Sequence, residues 1–273
     1  LFGSTSWAAQ AADKVLYQPV PAWVKPVAIP AVAPGATGDD APVKMLLMDQ
    51  QVSFAPGVVT TYSDMAMKIG NPQGLAAGNI SLPWKPDTDS LIVHRLVIRR
   101  GDTVVDVLGE GRTFTVVRRE TNLDNAVLDG VLTANIQTEG LQVGDVIELA
   151  ISLESRDPVM QRNVEYVGGA WNEAPMARTH LRLQWPSTMA VRYAATGGLP
   201  APKPEKSGDT TVLDITLNDV VQPVLPKGAP LRFQIGRLFE ATSFATWGDV
   251  AAIMAPLYAK AAVLPAVSPS TST

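Results

Sequence analysis

Cysteine is absent from all 273 residues, and histidine occurs only twice, as His94 and His180. No thiolate can attack a carbonyl, no disulfide can form and no cysteine-bearing zinc site can be built. Little remains from which to make a catalytic base. Positive charge is not in excess either, since 22 Lys and Arg stand against 26 Asp and Glu for a formal net charge of −4. Such a chain has no basic field to release counterions from nucleic acid or to draw it onto an anionic membrane. Nucleic acid is therefore not an expected partner. Long apolar runs are missing too: no stretch approaches the roughly 18 residues that a transmembrane helix needs. The chain is expected to bind or hold something rather than react with it, as a non-enzyme with no cofactor and no metal.

What is present is the composition of an ordinary folded protein, 46% hydrophobic and 18% charged. A chain of this length can bury roughly three quarters of the surface its unfolded form exposes. The first residues, 1–11, resemble the end of a secretory signal. Ala9 and Ala11 supply the small-x-small pattern a signal peptidase accepts, which places a new N-terminus at Ala12; the alternative is an Ala-rich terminus without that role. An exported protein, in the bacterial periplasm, is expected.

Residues 12–42 follow, with Pro19, Pro21, Pro26, Pro30, Pro34 and Pro42 crowded together. Proline at this density forbids helix and interior strand, so the segment is expected to run extended. Trp23, Val24, Val27, Ile29 and Val32 make it a strap rather than a solvated linker, because so much apolar area needs a surface to cover.

From residue 43 to about 240 the pattern has a period of two. In His180-Leu181-Arg182-Leu183-Gln184-Trp185, the leucines and tryptophan point one way and the polar residues the other. The same alternation runs through Ile147, Leu149, Ile151 and Leu153, through Leu213, Ile215 and Leu217, and through Leu231, Phe233 and Ile235. Met65, Met67 and Ile69 make another such face, as do Leu132, Ala134 and Ile136. Turn signals separate these runs, among them Arg100-Gly101-Asp102, Gly144-Asp145 and Gly208-Asp209. Leu123 to Leu128 reads as a short helix or an ordered loop. The expected fold is all-β, an antiparallel sandwich of two sheets and about 10–13 strands.

One helix is expected near the C-terminus, in residues 241–264. Thr246 and Asp249 have the spacing of a capping box, and Val250, Ile253, Met254, Leu257 and Tyr258 fall at helical spacing. Pro256 is expected to kink it. Residues 265–273 are too polar to pack.

The stretch from Val43 to Pro223 resembles the bacterial domain DUF3857, which precedes a transglutaminase-like domain in exported proteins. The resemblance rests on Ile98-Arg99-Arg100-Gly101-Asp102-Thr103-Val104-Val105-Asp106-Val107-Leu108, Val143-Gly144-Asp145-Val146-Ile147-Glu148 and Leu181-Arg182-Leu183-Gln184-Trp185-Pro186. Tyr17-Gln18-Pro19-Val20-Pro21-Ala22-Trp23-Val24 and Phe244-Ala245-Thr246-Trp247-Gly248-Asp249-Val250 add to it at either flank. It implies a module that accompanies a Cys-His-Asp catalytic domain, and no position here can receive that cysteine. The partner it implies is the transglutaminase-like domain or that domain's polypeptide substrate.

Each candidate site also has a plainer role. His94 is expected to be a satisfied strand histidine, and His180 to lie on a solvated strand face. Asp87-Thr88-Asp89-Ser90 reads as an Asx-type turn rather than a calcium loop, and Gly109-Glu110-Gly111 as a tight turn rather than a phosphate cradle. Glu148 and Glu154 share an exposed face but are too far apart along one strand for glycosidase chemistry. Trp84, Trp171 and Trp185 are expected in the core, with a sugar- or peptide-binding groove as the alternative. Asn79-Ile80-Ser81 is a glycosylation sequon, meaningful only in a eukaryotic secretory host. The expected interaction surface is the helix face of Trp247, Ile253, Met254 and Leu257. The leading expectation is a module that positions a polypeptide for an attached domain; a carbohydrate-binding module, an enzyme acting through carboxylates and a purely structural tether are the rivals.

Overall fold

The computed structural model describes residues 13–31, 40–118, 130–168, 174–196, 198–222, 227–228, 230 and 236–262. The signal-like residues 1–11, the short segment Leu123–Leu128, Trp171, the strand read from Leu231, Phe233 and Ile235 and the tail 265–273 lie outside them. Fifteen strands and one α-helix are described. The strands are β1 (Leu16–Tyr17), β2 (Val43–Ala55), β3 (Val58–Ile69), β4 (Asn79–Trp84), β5 (Asp89–Arg100), β6 (Thr103–Asp106), β7 (Thr115–Arg118) and β8 (Leu132–Gln137). They continue as β9 (Val146–Ser155), β10 (Glu165–Gly168), β11 (Met176–Pro186), β12 (Arg192–Thr196), β13 (Glu205–Ser207), β14 (Thr210–Val220) and β15 (Leu238–Thr242), followed by α1 (Trp247–Ala261).

The mostly-β expectation holds, and the arrangement differs from two antiparallel sheets. A nine-stranded mixed sheet runs in the order β1-β5-β9-β3-β2-β11-β14-β13, with β6 also on β5; two three-stranded sheets, β10-β15-β12 and β4-β8-β7, accompany it. Parallel pairing occurs at β1–β5 and at β2–β11. Period-two alternation reports which face a side chain takes and is blind to the direction of the neighbouring strand, so the parallel pairs left no mark in the sequence. The strand count exceeds 10–13 because β1 and β13 are two and three residues long, too short to alternate.

The β2–β3 hairpin shows how local chemistry sets the register. Pro56 and Gly57 join the strands, and Gly57 has φ +73°, the conformation a turn of this kind asks of its glycine. A Cβ on Gly57 would come within 2.4 Å of the Gln161 carbonyl oxygen, which excludes a side chain on space as well.

One face of the large sheet is apolar. Val52, Phe54, Leu181, Leu183, Trp185, Leu213 and Ile215 pack against Tyr166, Phe239 and Ala241 of the β10-β15-β12 sheet. Leu91, Val93, Leu96, Ile98, Ile147 and Leu149 pack against Ile80, Leu82, Trp84, Leu132 and Ala134 of the β4-β8-β7 sheet. The second layer is thus split between two small sheets. Each fully buried leucine or phenylalanine in these clusters contributes about 1.5–3 kcal/mol of transfer free energy. The body also runs past residue 240, the expected end of the sandwich, because β15 continues to Thr242 and Phe244 is still buried.

The other face carries the strap. Tyr17 pairs with Val93, and residues 18–31 continue without helix or strand. Val27 and Ile29 pack on Leu46, Leu47 and Ala66. This is the cover that Val27 and Ile29 required; Val32 lies outside the described residues.

Candidate functional site

Beneath the strap lies a layer of charged and polar side chains spread over six strands. The sheet register puts Arg95 opposite Ala150, Ala150 opposite Asp64, Asp64 opposite Asp49, and Asp49 opposite His180. Because strand side chains alternate, these residues share one face with Tyr62, Gln51, Arg182, Glu148 and Asp214. Asp49, Gln51, Asp64, Glu148, His180 and Arg182 are all buried. His180 and Glu148 are therefore not on the solvated faces expected for them. The alternation was right, and the face it assigned to water is roofed by the strap.

The hydrogen bonding is dense. His180 Nδ1 lies 2.6 Å from Asp49 Oδ1, and its Nε2 lies 3.1 Å from Asp214 Oδ2. Burial works against a charged ring, but the hydrogen bonds and charges of Asp49 and Asp214 outweigh it, and the His180 pKa is raised. The protonated ring, which this shift favours, donates from both nitrogens to carboxylates and then has no lone pair to take a substrate proton or to bind a metal. Arg95 bridges Asp64, at 2.7 Å, and Glu148; Arg99 reaches the other oxygen of Glu148 at 2.6 Å. Asp64 is pushed up to about 6 by burial, with the neighbouring carboxylates Glu148 and Asp49 adding to the effect and Arg95 opposing it. Burial and the Asp64 charge raise the Tyr62 phenol, whose hydroxyl donates to Asp64 at 3.3 Å. Among the described residues, three buried side-chain atoms have no hydrogen-bond partner: Asp64 Oδ1, Arg95 Nε and Arg182 Nε. No group of three or more His, Asp or Glu among the described residues is arranged to hold a metal ion.

His94 stands at the margin of this layer, with Nδ1 2.9 Å from the Gln18 carbonyl and Nε2 2.7 Å from Ser152 Oγ. Burial lowers its pKa, so the neutral ring donates from Nδ1 and accepts from Ser152. This is the satisfied strand histidine that was expected. Asp89 accepts from Thr88 Oγ1, Ser155 Oγ and the Lys85 backbone N–H, as a turn does. Trp84 and Trp185 are buried in the two core clusters.

A second feature lies on the outer face of the β10-β15-β12 sheet. A cavity of about 610 Å³ is lined by Glu165 and Val167 of β10, Arg192 and Tyr193 of β12, Glu240 of β15 and the start of α1 at Trp247 and Val250. The capping box forms as read: Asp249 N–H donates to Thr246 Oγ1 at 3.2 Å, and Thr246 N–H donates to Asp249 Oδ2 at 2.8 Å. The helix runs on past Pro256 to Ala261, and none of its residues is buried. Trp247 is 87% exposed and Leu257 45% exposed, while Ile253 and Met254 are half-buried.

The sequence profile of DUF3857, a domain of unknown function with a solved structure, matches residues 55–223, more than half of the chain. The chain belongs to the DUF3857 family. No curated protein matches it in sequence. Among solved structures it is similar to a "putative protease" from Parabacteroides distasonis, with TM-score 0.64 and 15% identity over 75% of this chain and 41% of that one. An M1 zinc metallopeptidase from Deinococcus radiodurans aligns over 73% of this chain and 42% of its own, at 11% identity and TM-score 0.37. The DUF3857 chain thus spans less than half the length of either neighbour, and the first of them shares its fold.

Two structural features of this DUF3857 chain leave little trace in the sequence. The polar layer was missed because its members come from strands scattered between Asp49 and Asp214, each bland by itself. One signal was available: a strap too apolar to be solvated had to lie on something, and the alternating strands offered only their polar faces. The groove was missed because the three strands that make it are four or five residues long.

Proposed function

We propose that this DUF3857 chain is a non-catalytic exported module that holds a polypeptide substrate for a transglutaminase-like domain and docks that domain through α1 and the groove beside it. The observation that carries this reading is a properly capped 15-residue helix with no buried residue and with Trp247 at 87% exposure. An isolated helix of that length is marginal in water and gains most of its stability from packing an apolar side. Trp247 and Leu257 are aromatic and aliphatic anchors of the kind that carry interface energy. The fold's recurrence inside a protein of which it accounts for 41% supports a role as one part of a longer assembly. The buried His180, with both nitrogens engaged, supports the non-catalytic reading.

Titration with a separately produced transglutaminase-like domain from a DUF3857 protein tests it. Binding is expected for this chain and at least ten-fold weaker binding for Trp247→Asp. Equal binding by both chains, or by neither, would remove α1 as the docking element, and turnover of a peptide by this chain alone would end the non-catalytic reading.

A further inference from the structure

The strap is held in an unusual way. Beyond the two-residue pairing of β1 with β5 and the Gln18 N–H on Val93, its backbone is gripped by side chains. Gln51 accepts from the Lys25 N–H at 2.9 Å and donates to the Lys25 carbonyl at 2.6 Å. Arg178 donates to the Ala28 carbonyl at 3.0 Å, Arg182 to the Trp23 carbonyl at 3.4 Å, and His94 to the Gln18 carbonyl at 2.9 Å. Donors from β2, β5 and β11 thus reach carbonyl oxygens spaced along an extended chain. Contacts to backbone carbonyls read conformation and are indifferent to sequence.

Three further observations separate this face from a passive seam. Burying charges costs several kcal/mol per ion unless geometry compensates, so stability alone would favour apolar side chains here, as on the sheet's opposite face. The strap also leaves polar capacity unused, at Asp64 Oδ1, Arg95 Nε and Arg182 Nε. Finally, a cavity of about 390 Å³ lies between Val27, Ala28 and Ile29 of the strap and Arg99, Val146 and Glu148 of the sheet. The strap fills its channel incompletely.

We infer that the polar face of the nine-stranded sheet is a recognition site for the backbone of an extended, proline-bearing polypeptide, and that Gln18–Ile29 is its exchangeable occupant in cis. A competing chain of the same chemistry is held by Gln51, Arg178, Arg182 and His94, with apolar side chains two residues apart replacing Val27 and Ile29. Side chains bulkier than these gain contact in the cavity. This inference rests on the reading of the chain as a polypeptide-holding module and says where the polypeptide lies. A tethered occupant competes at an effective concentration of roughly millimolar or more, so binding in trans is weak until the strap is loosened.

The test uses the full chain and a labelled peptide with the sequence of residues 18–31. Val27→Asp with Ile29→Asp weakens the strap without touching the sheet, and fluorescence anisotropy is expected to show the peptide binding this variant at least ten-fold more tightly than the unaltered chain. Adding Gln51→Leu is expected to abolish that gain. In the unaltered chain, the Lys25 amide is expected to exchange its hydrogen at least a hundred-fold faster than amides in the centre of β2 and β11. No peptide binding by the folded variant, loss of the fold in the variant, or equal exchange of strap and sheet amides each overturns the proposal. Trp247→Asp is expected to leave peptide binding unchanged, so failure here and failure of α1 docking are separate results.

Discussion

Gln51 holds Lys25 by both ends of one residue's backbone, as a neighbouring strand would, although the grip comes from a side chain. The same amide also donates to Asp49 Oδ2 at 2.9 Å, and Gln51 is fully buried. Gln51→Leu removes both halves of the grip and one donor to a buried carboxylate, and is expected to lower unfolding free energy by about 1–3 kcal/mol in urea titrations. Gln51→Glu keeps the shape and sets a second carboxylate beside Asp49, so its loss is expected to be larger. The reverse order would mean that volume, not hydrogen bonding, decides the position.

Asp64 gives the polar layer its pH dependence. Its carboxyl is raised to about 6 in the folded chain, from an ordinary 3.8, chiefly by burial. The folded state therefore binds this proton more tightly than the unfolded state, and the associated stability is fully present below about 3.8 and lost as pH rises through about 6. Asp64→Asn cannot ionise. Relative to that variant, the unaltered chain is expected to lose about 2 kcal/mol of stability between pH 4 and pH 7. A constant difference across that range would place the Asp64 proton elsewhere.

His180 shifts in the same sense for a different reason. Its raised pKa means that the folded chain holds the imidazolium more firmly than the unfolded chain does. That contribution is complete below the ordinary value of about 6.5 and fades as pH rises through the folded value. Nitrogen NMR at pH 6, below the ordinary value, is expected to show protons on both Nδ1 and Nε2. His180→Phe leaves Asp49 buried without its cation and is expected to cost about 3–5 kcal/mol. A neutral ring at pH 6, or a loss below 1 kcal/mol, would contradict the pairing.

Much of this was legible in the sequence, and the failures share one cause. Period-two alternation located the strands that build both cores, and Thr246 with Asp249 located the start of α1 to the residue. These signals are local, set by side-chain spacing within a few residues. Parallel pairing of β2 with β11 joins segments more than a hundred residues apart, and nothing in either strand announces its partner. His180 reads as solvated for the same reason, since whether a polar face is wet depends on what crosses it, and the cover comes from residues 18–31. The apolar side chains of Val27 and Ile29 call for a surface, and nothing local to them says which face of the sheet supplies it.

Helix α1 offers the sharpest separation between packing and function. Phe239 is fully buried in the cluster joining the β10-β15-β12 sheet to the large one, and Phe239→Ala is expected to cost about 3–5 kcal/mol. Trp247 is larger and 87% exposed, so Trp247→Asp is expected to change stability by less than about 0.5 kcal/mol. The same substitution is expected to reduce binding of a hydrophobic dye at pH 7, because it removes the most exposed aromatic beside the groove. Truncation must begin at Trp247 rather than Phe244, which is 6% exposed and belongs to the folded body. A chain ending at Thr246 is expected to keep its thermal midpoint and to be more soluble. A midpoint several degrees lower would mean that the helix stabilises its own domain, and the apolar residues of α1 would then need no partner.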